Sequence, residues 1–138
     1  METNKYSDDA RTHLTFIEGV ISRMNSNSFS MKGWMVTVVA ALAALYAGST
    51  AGNAEVYLYI AILPVMIFWC LDTYYLQLEK KFRMLYDDTV AGSVELYSMN
   101  IDNYKDKVCY FKVMISKTEW PVYIPVLALL VVAIIWFV

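Results

Sequence analysis

The sequence is poor in the residues from which most enzyme and metal sites are built. It has one histidine, His13, and two cysteines, Cys70 and Cys109. Zinc and disulfide sites need such ligands in sets, and these three residues do not have the required spacing. No glycine-rich phosphate loop and no nucleophile motif occurs either. The sequence therefore predicts no enzyme, no cofactor and no metal site, and it places His13 half-exposed on a helix.

Charged residues are missing from three stretches, 33–54, 56–71 and 120–138. The hydrocarbon core of a bilayer is ~30 Å thick, which roughly 20 helical residues cross. The second stretch is shorter, but polar aromatic residues continue it through the membrane interface. A small soluble domain could not bury the 59% hydrophobic content of this chain. We therefore predict an all-α membrane protein with three transmembrane helices, within 33–54, 55–78 and 118–138.

No lysine or arginine lies in the loop between the first two stretches. All eleven occur either before residue 33 or within 80–117. The positive-inside rule then places both basic regions in the cytoplasm, with the loop and the C-terminus outside. A signal peptide does not fit the first stretch, because the region before it is long and contains acidic residues.

The region before the first stretch, 1–32, carries the pattern of an amphipathic helix. Apolar residues recur at spacings of three and four over 5–27, which predicts a cytoplasmic helix with one apolar face. The segment 25–30 is rich in asparagine and serine, which favour caps and turns. We therefore expect the chain to leave the helix there before it enters the membrane.

The stretch "FWCLDTYYLQLEKKFRMLYDD", residues 68–88, begins apolar and ends charged with no glycine or proline between. It predicts one helix that leaves the bilayer and continues in the cytoplasm until Gly92, with Glu79 and Arg83 paired one turn apart. The next residues, 94–117, show apolar positions at spacings of three and four, which favours a helical cytoplasmic segment over 79–117. A short strand within 108–116 is the alternative, because its residues are β-branched and aromatic.

Small residues form one face of the first predicted span. Ala40, Ala44 and Gly48 lie four residues apart, and Thr37 is the one polar group at mid-depth. Small residues let membrane helices approach closely. This face either packs against the other spans of the same chain or surrounds the axis of a homo-oligomer and lines a narrow conduit.

Two sets of polar residues are candidates for a role in gating or binding. Asp72 lies at the predicted boundary between lipid and water. An ionisable residue at that depth is a candidate for a functional role. It is expected either to be solvated or to pair with Arg23 or Lys32, and we assign a gating role to Asp72 and Arg23. A cytoplasmic set combines cations with tyrosine, as sites for single-stranded nucleic acid do: Lys80, Lys81, Arg83, Tyr104, Lys105, Lys107 and Lys112. The simpler interpretation is that these cations orient the spans and contact anionic lipid headgroups.

The stretch 68–88, together with "HLTFIEGVISRMNSNSFSMKGW" and "MISKTEWPVYIP", resembles the small pore-forming effectors of bacterial anti-phage operons. These form the S-4TM and SLATT-like group, and one of them is the Hailong type of channel. The resemblance implies a homo-oligomer that permeabilises the bacterial inner membrane. A nucleotide or single-stranded DNA, made by a partner nucleotidyltransferase, or a protein partner either opens it or holds it inert. This chain differs from the larger members, because it has three predicted spans and no separate sensor domain. The resemblance therefore does not determine the identity of the ligand. The alternative is a non-conducting membrane anchor that docks a soluble partner.

Overall fold

The computed structural model describes the backbone of residues 2–50 and 52–137 and the side chains within 7–50 and 52–136. Met1, Ala51 and Val138, at the edges of three predicted segments, lie outside the described residues. The described chain contains no strand, which confirms the all-α class. Its helices are α1 (Glu2–Gly48), α2 (Val56–Val90), α3 (Tyr110–Met114) and α4 (Trp120–Phe137), with a short 3₁₀ helix at Asp102–Tyr104.

Helix α1 is continuous, so the predicted break at 25–30 is wrong. Four serine and threonine hydroxyls of this helix donate to carbonyls one turn back, as Ser30 Oγ does to Ser26 O at 2.9 Å and Thr37 Oγ1 to Gly33 O at 2.9 Å. These bonds satisfy the polar side chains while the helix continues. Packing against α2 along the same length outweighs the weak preference of asparagine and serine for turns.

Helices α1 and α2 form a long antiparallel hairpin joined by the turn at residues 49–55. With 47 residues at ~1.5 Å each, α1 is about 70 Å long, more than twice the thickness of a hydrocarbon core. Helix α4 packs on α2 in the half of the hairpin that holds the turn. The buried apolar core of that half consists of Met35, Ala61, Val65, Trp69, Tyr123 and Leu130.

Helix α2 ends at Val90, as predicted from Gly92, which has a positive φ of 74°. A helix is absent from most of the predicted range 94–117, where only Asp102–Tyr104 and Tyr110–Met114 are helical, and the alternative strand is also absent there. Residues 91–119, called the return segment below, run back along α2 with only the 3₁₀ helix and α3 in helical form. Its carbonyls accept bonds from α2: Gln77 Nε2 donates to Val108 O at 2.8 Å, and Trp69 Nε1 donates to Met114 O at 3.2 Å.

Two helices, α1 and α2, are long and apolar enough to cross a membrane. In the most apolar window of α1 only 11% of the residues are buried, whereas the core helix of a soluble protein is mostly buried. Helix α4 is apolar but shorter, and its Leu129, Ile135 and Trp136 are exposed. It begins at Trp120, after the turn at residues 117–119. The third span stays a prediction.

Candidate functional site: a basic groove and a buried ion cluster

A groove of about 380 Å³ lies between α2 and the return segment. Four of the seven predicted anion-binding residues line it, two from each side. Leu76 packs with Val108 and Val113 in one buried cluster, and this contact fixes the return segment at the groove. The groove is lined by Lys80, Arg83, Met84, Lys107, Val108, Cys109, Lys112 and Val113.

The groove carries a strong excess of positive charge. Its described lining contains four cations and no carboxylate. One of these cations, Arg83, is already paired, because its Nε donates to Glu79 Oε1 at 2.6 Å, which confirms the predicted pair. The backbone N–H groups of Lys112 and Phe111 lower the pKa of the exposed Cys109 thiol.

The other three predicted residues do not line the groove. Lys81 is largely buried on α2. Lys105 is exposed and pairs with Asp102 at 2.7 Å. Tyr104 is buried, and its hydroxyl donates to Asp88 Oδ2 at 2.6 Å, so no face of this ring is free for stacking on a base. Of the predicted set, the groove therefore brings together Lys80, Arg83, Lys107 and Lys112.

The predicted small-residue face is uncovered within one chain. Thr37, Ala40, Ala44 and Gly48 are all exposed, on the side of α1 opposite the buried Met35. Of these four residues, Ala40 borders another helix, across an apolar cleft of about 310 Å³ between α1 and α4. The face therefore makes little contact with the rest of the described chain.

A second site, the ion cluster, lies where α1, α2 and the start of α4 meet. It consists of Lys32, Asp72, Glu119 and Tyr123. Lys32 Nζ pairs with Asp72 Oδ2 and with Glu119 Oε1, the latter at 3.1 Å, and it also donates to Ser28 Oγ at 3.2 Å. Both carboxylates are fully buried, and the lysine side chain is 17% exposed.

Tyr123 completes the ion cluster from α4. Its hydroxyl donates to Asp72 Oδ2 at 2.8 Å, and its ring stacks on Trp69 with centroids 5.5 Å apart. Asp72 is therefore not solvated, and of its two predicted partners Lys32 is confirmed. Arg23 is exposed and forms no ion pair with a described residue, so it does not share a site with Asp72.

Two buried polar residues differ from what the sequence predicted. Glu119 was not a candidate, although it is the acidic residue directly before the uncharged stretch 120–138, a signal that marks it as a charge at the membrane surface. His13 is buried, not half-exposed, and its Nε2 donates to Ser98 O at 2.9 Å. Its partner is a loop carbonyl far along the chain, which helical spacing does not reveal.

The chain matches no known protein family, no curated protein and no solved structure. The comparisons therefore give no relative from which a function could be transferred.

Proposed function

We propose that this chain is the subunit of a homo-oligomeric membrane channel whose basic groove binds a phosphate-bearing ligand that gates it. In this proposal α1, α2 and α4 cross the bacterial inner membrane, with the N-terminus and the groove in the cytoplasm and the C-terminus outside. The resemblance to anti-phage effectors supports a role in abortive infection. The ligand classes it suggests are a nucleotide or single-stranded DNA.

The observation that carries the proposal is the meeting of four cations from two distant parts of the chain in one groove. Lysine and arginine form charge-assisted hydrogen bonds with phosphate, and these are stronger than neutral ones. Lys80 and Arg83 lie on α2, which continues directly into its apolar half. Ligand bound there would press on a rigid helix that also lies in the membrane, which is a simple route from binding to gating.

The uncovered small-residue face supports assembly. A membrane helix gains stability by close packing, and lipid does not fill the shallow surface of alanine and glycine as well as a second helix does. Ala44 and Gly48 are exposed in the described chain, so a helix that packs on them would come from another subunit. A ring of subunits with this face at its axis would place Thr37 along the conduit.

Binding and conduction are tested with purified protein in proteoliposomes. The groove variant K107A/K112A is compared with K105A/K117A, which removes the same charge from exposed positions outside the groove. The probes are ATP, inorganic phosphate and a labelled single-stranded oligonucleotide. We expect the groove variant to bind the oligonucleotide at least about tenfold more weakly and to lower the salt slope of log Kd by about 1.4, because single strands release about 0.7 ions per phosphate contact.

The control variant is expected to bind and conduct like wild type. Equal weakening in both variants would show that only the overall charge matters, and the groove would not be the site. No ion flux from wild-type proteoliposomes with any of the three probes, or without them, would contradict the channel itself.

One observation favours the alternative function, a membrane anchor that docks a soluble partner. Phe111 and Ile115 at α3 are each 71% exposed and lie outside the three apolar helices. Exposed apolar side chains of this size mark contact surfaces. A stoichiometric protein partner that co-purifies with a monomeric, non-conducting chain would favour this function over the channel.

A further inference from the structure

We infer that the ion cluster holds one exchangeable proton on Glu119, and that loss of this proton loosens α1 from α2 and α4. Such a proton would make the junction between the apolar half of the molecule and the rest sensitive to pH. The packing of these helices does not depend on conduction or on the basic groove, so the proton can be tested separately from the proposed channel.

The ion cluster has an unequal number of positive and negative groups. Two carboxylates, Asp72 and Glu119, face one ammonium group, Lys32, and both carboxylates are fully buried. With all three groups ionised the cluster has an excess negative charge away from water. A buried charge without a counter-charge is strongly destabilising. A single proton on one carboxyl group removes the excess.

Two buried carboxyl oxygens also favour a bound proton. Asp72 Oδ1 and Glu119 Oε2 have no hydrogen-bond partner among the described residues. An ionised carboxylate can only accept hydrogen bonds, whereas a protonated one also has an O–H to donate. Protonation therefore both lowers the charge and reduces the number of buried acceptors without donors.

The proton belongs on Glu119 because the two carboxyl groups differ in the hydrogen bonds that they accept. Asp72 Oδ2 accepts bonds from both Lys32 Nζ and Tyr123 OH, and such bonds favour the ionised form. Glu119 accepts one described side-chain bond, from Lys32 at 3.1 Å. Asp72 is thus the better-stabilised anion, and Glu119 is the group that keeps a proton.

The described groups around Glu119 supply no second cation. On α2, Thr73 Oγ1 donates to Trp69 O, and the Tyr110 hydroxyl of α3 donates to Cys70 O. Ser28 on α1 accepts from Lys32. Ser116, in the turn before Glu119, has a buried Oγ without a described partner. The titratable and charged groups of this region are Lys32, Cys70, Asp72, Tyr110, Glu119 and Tyr123.

These charges fix the direction of the pH dependence. When the pH rises, Glu119 gives its proton to water, which reaches the cluster along the partly exposed Lys32, and the buried excess charge weakens the packing of the three helices. Stability is therefore expected to decline as the pH rises and Glu119 loses its proton.

The test is infrared difference spectroscopy of the full chain in detergent micelles across a pH series. A protonated carboxyl group has a C=O stretch that an ionised one lacks. We expect this band in wild type at neutral pH and its loss on alkalinisation, with no such band in Glu119→Gln. Glu95→Gln, the same change at an exposed position, is the matched control and is expected to keep the band.

A second variant separates proton binding from structural damage. In Asp72→Asn, the remaining Glu119 can ionise against Lys32, so the band is expected to disappear although Glu119 is intact. Thermal unfolding across the same pH series is expected to lose its alkaline decline in Glu119→Gln and to keep it in Glu95→Gln. No protonated carboxyl in wild type at neutral pH, or a band that persists in both cluster variants, would overturn the inference. So would a stability at fixed pH that changes when sodium is replaced by choline, because a metal cation would then occupy the cluster.

Discussion

Hydrogen bonds of buried polar side chains connect the return segment to α1 and α2. His13 on α1 binds the carbonyl of Ser98, and Tyr104 in the return segment binds Asp88 on α2. Tyr104 also packs with Ile17 and Leu85, so one residue connects three parts of the chain. A buried donor that loses its acceptor costs about 1–3 kcal/mol, which makes each of these contacts a substantial part of the stability of a small domain.

Replacing Tyr104 by Phe is expected to lower the free energy of unfolding by about 1–2 kcal/mol at neutral pH, because Asp88 loses its hydroxyl donor. Burial, and then the bond to Asp88, raise the pKa of Tyr104 to about 12 from 10.0. A raised folded-state pKa contributes stability below pH 10 and loses it as the pH rises towards 12. The difference between wild type and Tyr104→Phe should therefore shrink over that range in denaturant titrations. A difference that stays constant across the whole range would contradict this assignment.

Partners of single residues could be predicted where helical spacing or a shared membrane depth relates them. The pair of Glu79 and Arg83 was correct because one helical turn brings the two side chains together. Lys32 was named as a partner for Asp72 because both were placed at the same membrane depth. His13 and Glu119 bind groups that lie far from them along the chain, and no local spacing contains that information.

At the scale of elements, the long helices follow from composition and the return segment does not. The transition from apolar to charged residues within α2, without glycine or proline between 68 and 88, predicted one continuous helix that ends before Gly92. The turn-forming residues at 25–30 gave the wrong prediction for α1, because α2 supports the helix from the side. The apolar residues spaced three and four apart in 94–117 pack against α2 and α1. Such spacing alone does not distinguish a non-helical segment that packs on helices from a helix.

Replacing either of two glycines by alanine tests the backbone conformation of these elements, and the two changes are expected to shift the free energy of unfolding in opposite directions. Gly19 lies inside α1, and a Cβ built there would meet nothing within 4 Å. Gly19→Ala is therefore expected to raise the free energy of unfolding by about 0.5–1 kcal/mol. Gly92 has a φ of 74°, so Gly92→Ala is expected to lower it by about 1–2 kcal/mol. Thermal or denaturant unfolding in one detergent measures both, and a destabilising Gly19→Ala would show that α1 is broken near that residue in solution.

At the scale of the whole molecule, charge and apolar surface are separated along one axis. The antiparallel hairpin brings the basic region of α1 next to that of α2, while the turn at 49–55 contains no lysine or arginine. The ion cluster lies at the boundary between the two halves. The positive-inside rule predicts this separation for a protein whose basic regions lie on one side of a membrane. It was predictable because the distribution of charge is read directly from the sequence.

Assembly through the small-residue face gives a prediction at the same scale. Ala44→Leu places a bulky side chain on the face proposed to line the oligomer axis, and it is expected to shift the detergent-extracted complex to smaller species and to reduce ion flux. Ala128→Leu makes the same change on an exposed position of α4 and is expected to leave both unchanged. Native mass spectrometry and flux measurements check this. An unaltered oligomer in Ala44→Leu would contradict this prediction, and it would show that the small-residue face contacts lipid and not another subunit.

The central claim is that α1 and α2 cross the membrane and hold the basic groove in the cytoplasm, and the native cysteines allow it to be tested directly. Cys109 is exposed beside the groove, and replacing Cys70 by Ser leaves it as the single thiol. A membrane-impermeant maleimide is expected to label Cys109 in inside-out vesicles of the bacterial inner membrane and to leave it unlabelled in intact spheroplasts. With both native cysteines replaced, Asn53→Cys in the turn between α1 and α2 should show the reverse pattern. Labelling of Cys109 from outside intact spheroplasts, or recovery of the protein in the soluble fraction without detergent, would contradict the account.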